Sequence, residues 1–393
     1  MAELIACAAA EFGPFGGRVW LNTAHQGPFP RCAVRAAERA AAQKAAPQWI
    51  ADDDFRAVPE LLRGLLGQLV GAPPEQVVLG NSTSYGLHLI ANGLDWREGD
   101  EVLVVEGDYP ATVLPWRRLE RRGVETRALR ATGPTLSAEE LAAAIGERTR
   151  LLAVTWVDSF TGSALDLDAL AAVCARAGVL LVVNASQALG ARHLDVVRTP
   201  VDAVVSCGYK WLCGPYGTGF AWIRPALLAE LEPQQAYWLA MQAGRGLEQM
   251  RDTSLHDDLG SRAFDVFCPA NFLNVLPWIA SVQMLLGVGI ETIAEWNQGL
   301  VERFVARLDA ERYRLVSPHS GSARSTLVVV SDARGDAKRL LHQLEAAGID
   351  VALREGNLRL SMHLFNTPAE VDAALDVLHA EPGSSGARYS PKG

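Results

Sequence analysis

The feature that most constrains this chain is an alternation. From about residue 55, short β-branched runs bounded by turn residues take turns with stretches of helical periodicity. Candidate strands fall at residues 76–79, 101–105, 151–155, 180–183 and 203–206, with one more at 217–223 after a glycine-rich turn. Most are near-continuous apolar runs, the pattern of strands covered on both faces of a sheet. Helical stretches such as 141–145 and 167–177 lie between them, so right-handed crossovers in a mainly parallel sheet follow. The fold class is α/β.

Beyond residue 270 the pattern shifts to a long helical segment (272–308), a strand at 325–331, a helix near 337–347 and a strand near 357–361. That order reads as a smaller C-terminal α+β domain over 270–380, behind a large domain over 31–269 and an N-terminal segment over 1–30. Residues 381–393 carry Pro, Gly, Ser and Lys without apolar periodicity, the composition of a disordered tail.

Charge narrows the partners. Lys and Arg number 36 against 45 Asp and Glu, a formal net charge of −9 with no long basic run, which argues against a nucleic-acid or anionic-membrane surface. No run of about 18 uncharged apolar residues offers a membrane span. The six cysteines, at 7, 32, 174, 207, 213 and 268, form neither CxxC pairs nor a disulfide framework. They read as reduced thiols of a cytoplasmic protein, with no metal site expected.

The stretch SCGYKWLCGPYGTG (206–219) carries the strongest chemical signal. Lys210 follows a buried-looking strand and precedes a glycine-rich turn, where burial lowers the amine's pKa and frees it for Schiff-base formation. Upstream, GNSTSYG (80–86) ends a strand and opens an apolar-periodic helix. Ser82, Thr83 and Ser84 there present hydroxyls, backbone N–H groups and the positive end of the helix dipole, a setting for phosphate as well as for a plain N-cap.

Together these segments resemble the class V aminotransferases, the fold type I pyridoxal-phosphate enzymes that include cysteine desulfurases, kynureninase and isopenicillin N epimerase. The similarity runs from LNTA (21–24) to RLSMH (359–363). It implies a fold type I large domain with a seven-stranded-type sheet, pyridoxal 5'-phosphate as cofactor, a small-molecule amino-acid substrate and a homodimer. By the resemblance Lys210 binds the cofactor and shuttles the proton, Ser82, Thr83 and Ser84 form the phosphate cup, and Tyr109 stacks on the pyridine ring. Ser206, Cys207 and Tyr209 flank the lysine on the cofactor side. Gln187 and Ser159 stand where relatives contact the phenolic oxygen, Arg359 where they grip the substrate carboxylate, and His25 on the N-terminal segment that folds over the active site.

Two positions depart from the family pattern. Asn184 replaces the aspartate that pairs with the pyridinium nitrogen, and an amide offers no charge to hold that proton. In FDVFCP (264–269), Phe267 and Cys268 stand where relatives have a glycine and a phosphate-binding threonine. No cysteine follows Cys268, which disfavours persulfide-forming desulfurase chemistry. The expected activity is a lyase-type reaction at Cα and Cβ, such as β-elimination with C–S cleavage. Aminotransferase, epimerase and oxidative decarboxylase remain alternatives, and a catalytically silent scaffold is a further one. Ala- and Arg-rich usage with these substitutions points to specialised metabolism, antibiotic pathways included.

Overall fold

The computed structural model describes residues 2–238, 251 and 259–380. The strands are β1 (Val19–Trp20), β2 (Val77–Gly80), β3 (Glu101–Val105), β4 (Glu125–Leu129), β5 (Thr149–Thr155), β6 (Leu180–Asn184), β7 (Ala203–Cys207), β8 (Gly219–Ile223), β9 (Tyr313–Leu315), β10 (Leu327–Asp332), β11 (Ile349–Asp350), β12 (Ala352–Arg354) and β13 (Asn357–Ser361). Seven of them form one sheet in the order β2-β8-β7-β6-β5-β3-β4. β8 runs antiparallel to both neighbours, and the other pairings are parallel. The central strands β5, β6 and β7 are buried almost throughout, because helices cover both faces and leave no polar side to show.

Strand β4 was not legible in the sequence pattern. ETRAL buries only its final leucine, since an edge strand packs less apolar surface than a central one. Arg127 within it pairs with Glu101 on the adjacent strand at 2.6 Å. The expected single helix over 272–308 is instead two, Phe272–Val288 and Ile290–Arg307, meeting at 78°. Gly289 makes the break at φ 88°, a conformation that costs glycine little and other residues more. Among the described residues no single helix is long and apolar enough to cross a membrane. The tail expected to be disordered, 381–393, lies outside the described residues.

A four-stranded antiparallel sheet, β12-β13-β10-β9, forms the heart of the smaller C-terminal part. Val328, Val330, Leu358 and Leu360 pack its core with Leu340, Leu344 and Leu375. The N-terminal segment is stitched to this part by β1 pairing with β11, by the Asn22–Ser361 bridge and by Ala24 N–H donating to Ser361 Oγ at 2.9 Å. Those bonds carry residues 22–27 across the carboxyl ends of the large sheet's strands, where ligand sites of open α/β sheets form.

A buried ion pair anchors the opposite flank. Arg63 is 1% exposed and meets Asp265 at 2.5 Å. Its guanidinium also donates to Val77 O, while Asp265 accepts from Leu79 N–H at 2.8 Å. The FDVFCP segment is thereby clamped beside β2, the strand that delivers residues 81–84.

Candidate functional site

The chain has four lysines, Lys44, Lys210, Lys338 and Lys392. Lys210 is 7% exposed. Its Nζ makes no hydrogen bond or ion pair with a described residue, and it lies 5.5 Å from the Tyr109 ring centroid and 5.9 Å from that of Tyr209. Burial holds its pKa below the ordinary lysine value, with the nearby Arg359 and Arg354 charges adding to that effect and Cys207 opposing it. A neutral amine is a nucleophile, so the environment suits covalent work.

The backbone at Lys210 is crossed closely by the N-terminal segment. Gly27 N–H donates to Tyr209 O at 2.9 Å, and a Cβ on Gly27 would fall 1.9 Å from Lys210 O. Only glycine fits there. On the far side His363 is buried, and Leu364 N–H donates to its Nδ1 at 2.7 Å, so Nε2 carries the proton and donates to Trp211 O at 3.0 Å. Burial pushes its pKa down to about 4, which makes it a neutral strut for the lysine loop.

Asn184 ends β6 and is 2% exposed. Ser186 N–H, which can only donate, faces its Oδ1 at 3.1 Å, and Ser186 Oγ reaches the same oxygen at 2.7 Å. The other amide atom must therefore be nitrogen, and it donates to Thr112 Oγ1 at 2.9 Å. Thr112 is held in turn by Thr155 at 2.8 Å, and Ser186 by Thr83 at 2.6 Å. One Asn184 N–H is left to give, and no proton is left to take.

Gln187 is fixed in the same way. Trp211 Nε1–H donates to its Oε1 at 2.9 Å, so Nε2 donates to Ala24 O at 3.0 Å and, more weakly, to Ser159 Oγ at 3.4 Å. Gln187 and Ser159, expected to share one task, are thus neighbours. Arg359 is 3% exposed, donates once to Ser159 O at 3.1 Å, and its Nε has no partner among the described residues. Burial pushes its pKa down to about 10, with Arg354 the next cause. His25 lies at the exposed rim, where partial burial and the charges of Arg354, Arg359 and Lys210 hold its pKa below the usual histidine value.

The hydroxyl residues divide. Ser82 is the N-cap of helix Thr83–Gly93, accepting from Tyr85 N–H at 3.1 Å, while its own proton goes to Asn81 Oδ1 at 2.9 Å. Thr83 faces Ser186, and Ser84 stands in the helix's first turn. A Cβ on Gly219 would come within 2.6 Å of the Ser82 backbone, so β8 can pass beneath this loop only as glycine. Ser206 turns back to Cys207 O at 3.3 Å, the side chain's one hydrogen bond among the described residues. Cys207 is buried at the end of β7, three residues before Lys210.

Tyr109 stacks on Phe160 at 6.2 Å and is held by its N–H donating to Asp108 at 2.5 Å. Asp108, pushed up to about 6 by burial, also accepts from Thr155 N–H at 2.9 Å. Arg354, Thr112, Trp211 and His363 were not singled out from the sequence. Arginine near a turn and a helical threonine carry no chemical signal alone, and Trp211 and His363 lie inside motifs whose signal was read from Lys210 and Arg359. A cavity of about 440 Å³ is walled by Trp20, Gln26, Phe29, Tyr209 and Tyr216, and Lys210 does not line it.

Comparison with known proteins settles the lineage. Residues 52–374 match the family described as aminotransferase class-V. The chain belongs to the aminotransferase class-V family. This family depends on pyridoxal 5'-phosphate, and its enzymes act on amino acids. Within it, the chain is 32% identical to isopenicillin N epimerase of Streptomyces clavuligerus, over 92% of this chain and 94% of the relative. It is 26% identical to a probable cysteine desulfurase of Methanothermobacter thermautotrophicus, over 80% of this chain and 81% of the relative. Among solved structures, the fold is similar to a cystine C–S lyase in complex with its product cysteine persulfide. The TM-score is 0.83 at 21% identity, over 93% of this chain and 98% of that one.

Proposed function

We propose that this class V enzyme acts at Cα and Cβ of an amino acid, expelling a β-substituent as a lyase. The observation that carries the reading is a buried lysine and a buried arginine with no ion pair among the described residues. Lys210 and Arg359 are 7% and 3% exposed, and neither forms an ion pair with a described residue. Buried charge without a counter-charge is costly, so the cleft is built for anionic ligands. The residues fit pyridoxal 5'-phosphate. Lys210 would hold it covalently, the first turn of helix Thr83–Gly93 with Ser82, Thr83 and Ser84 would hold its phosphate, and Tyr109 would cover the ring.

When bound, the cofactor supplies an electron sink for charge developed at the substrate's Cα. Arg359 binds the α-carboxylate through its planar donor fork. Lys210 Nζ moves the Cα proton, its lowered pKa keeping it available as a base. With its remaining N–H, Asn184 would hydrogen-bond the cofactor's ring nitrogen but offer no charge to keep it protonated, so the sink would be weaker. A weaker sink favours chemistry that discharges Cα quickly, by loss of a β-substituent. Epimerisation is the second reading, supported by the 32% identity to an isopenicillin N epimerase. The persulfide-forming route is disfavoured because no cysteine follows Cys268. A homodimer and a role in specialised metabolism complete the proposal.

Proton NMR in deuterated water separates the readings. With an S-substituted cysteine, a lyase releases the thiol, ammonia and a 2-oxo acid, whereas an epimerase returns the intact amino acid inverted and labelled at Cα. Release of no thiol would overturn the lyase reading.

Two variants test the residue roles. Arg359→Ala should weaken amino-acid binding by about 1.5–3 kcal/mol while cofactor affinity holds. Titration of the holoenzyme checks this, and wild-type affinity would refute it. Asn184→Asp should protonate the ring nitrogen, read as a shift of its ¹⁵N resonance in labelled cofactor. An unchanged resonance would show that residue 184 does not set that proton.

A further inference from the structure

We propose that Arg354 is a second carboxylate-binding residue, so that the preferred substrate is an amino acid bearing an additional carboxylate on its side chain. This rests on the proposal that Arg359 holds the α-carboxylate. The juxtaposition comes from strand register. β12 and β13 pair antiparallel with Ala352 opposite Arg359 and Arg354 opposite Asn357. Side chains two residues apart on a strand share a face, and so do directly opposed residues. Arg354 therefore shares a face with Ala352 and Arg359, as Arg359's diagonal neighbour.

The other face is accounted for. Leu353, Leu358 and Leu360 pack into the core of the small sheet. Ser361, on the face of Arg359, meets Ala24 of the N-terminal segment. That face is the one turned to the cleft.

The hairpin is stiff. Only Glu355 and Gly356 separate the strands, with φ of 46° and 74°, the left-handed pair that a two-residue turn of this twist requires. A glutamate seldom adopts that conformation, and a turn this short lets the register slip little. Arg354 is presented in one place.

The half-buried Arg354 spends one bond on Leu353 O at 2.8 Å and forms no ion pair with a described residue. Asp158, the acid whose charge reaches Arg359, commits Oδ1 to Phe160 N–H, Thr161 N–H and the Thr161 hydroxyl. Burial chiefly lowers the pKa of Arg359, His25 and Lys210, and the Arg354 charge adds to it at all three. Three cationic or ionisable groups and Arg354 thus converge, with Asp158 the one carboxylate among the described residues whose charge acts on Arg359. One α-carboxylate answers Arg359, and a second carboxylate answers Arg354.

The test titrates holoenzyme with straight-chain dicarboxylic amino acids of four to six carbons and with their side-chain amides. The readout is the change in the cofactor's visible band on binding. The native protein should bind at least one dicarboxylate roughly 10- to 100-fold more tightly than its amide. In Arg354→Gln that preference should fall to about 2-fold or less, with amide affinity and cofactor affinity unchanged, and Arg354→Lys should restore part of it. Absence of a preference in the native protein would overturn the proposal. So would equal weakening of acid and amide in Arg354→Gln, or weakened cofactor binding alone, which would assign Arg354 to the cofactor. Arg359→Gln separates the two readings. If it weakens neither ligand, the α-carboxylate assignment fails, whatever Arg354 does.

Discussion

Lys210→Ala is expected to cut turnover by roughly 10²–10⁴-fold or more, the usual scale for loss of a positioned proton-transfer group. The loss should exceed that of a surface lysine because the same atom also makes the covalent attachment. The variant should bind the cofactor through its phosphate contacts, lack the visible band of the native protein, and regain a band when an external amine is added. Absorption spectra of purified native and variant protein check this directly. A variant spectrum identical to the native one would remove Lys210 from its role. The fold should survive the change, because Nζ has no hydrogen bond or ion pair with a described residue to lose.

The second large effect is on stability. Asp265→Ala leaves the Arg63 guanidinium, 1% exposed, with Glu60 at 3.2 Å as its remaining acid among the described residues, and should cost up to about 3–5 kcal/mol, since a buried charge that loses its partner is penalised more than the pair itself contributes. The double variant Arg63→Met with Asp265→Leu should recover most of that, because volume is roughly kept, the buried pair is replaced by apolar side chains, and Glu60 keeps its pairing with Arg262 at 2.7 Å. Denaturant unfolding of the singles and the double measures it. A single-variant loss under about 1 kcal/mol would mean that water reaches the site and solvates the arginine. Because the pair clamps β2, the Asp265→Ala protein should also bind cofactor less tightly than the double variant.

Much of the large sheet was legible because its central strands are buried on both faces and so read as apolar runs. β6 and β7 extend the expected strands by one residue each, to Asn184 and Cys207. β4 was hidden, since its one fully buried residue leaves no apolar run to see. The break at Gly289 was hidden too, because apolar periodicity continues on both sides of one glycine. In the site, Lys210 was legible from the glycine-rich turn behind it, and Arg359 from the motif around it. The network around Asn184 was not. Its partner Thr112 lies 72 residues away in the chain, and nothing local marks a threonine as a partner of a distant amide. Asp265 was visible only as part of a motif with altered neighbours, and its role required Arg63 across 202 residues.

The central claim is that Lys210, buried and unpaired, is the residue that holds the cofactor. Reduction of the native holoenzyme with borohydride, followed by mass mapping of its peptides, tests it most directly, since only Lys44, Lys338 and Lys392 compete. The expected result is one reduced pyridoxyl adduct, on the peptide containing Lys210. An adduct on another lysine, or no adduct from protein that carries cofactor, would contradict it.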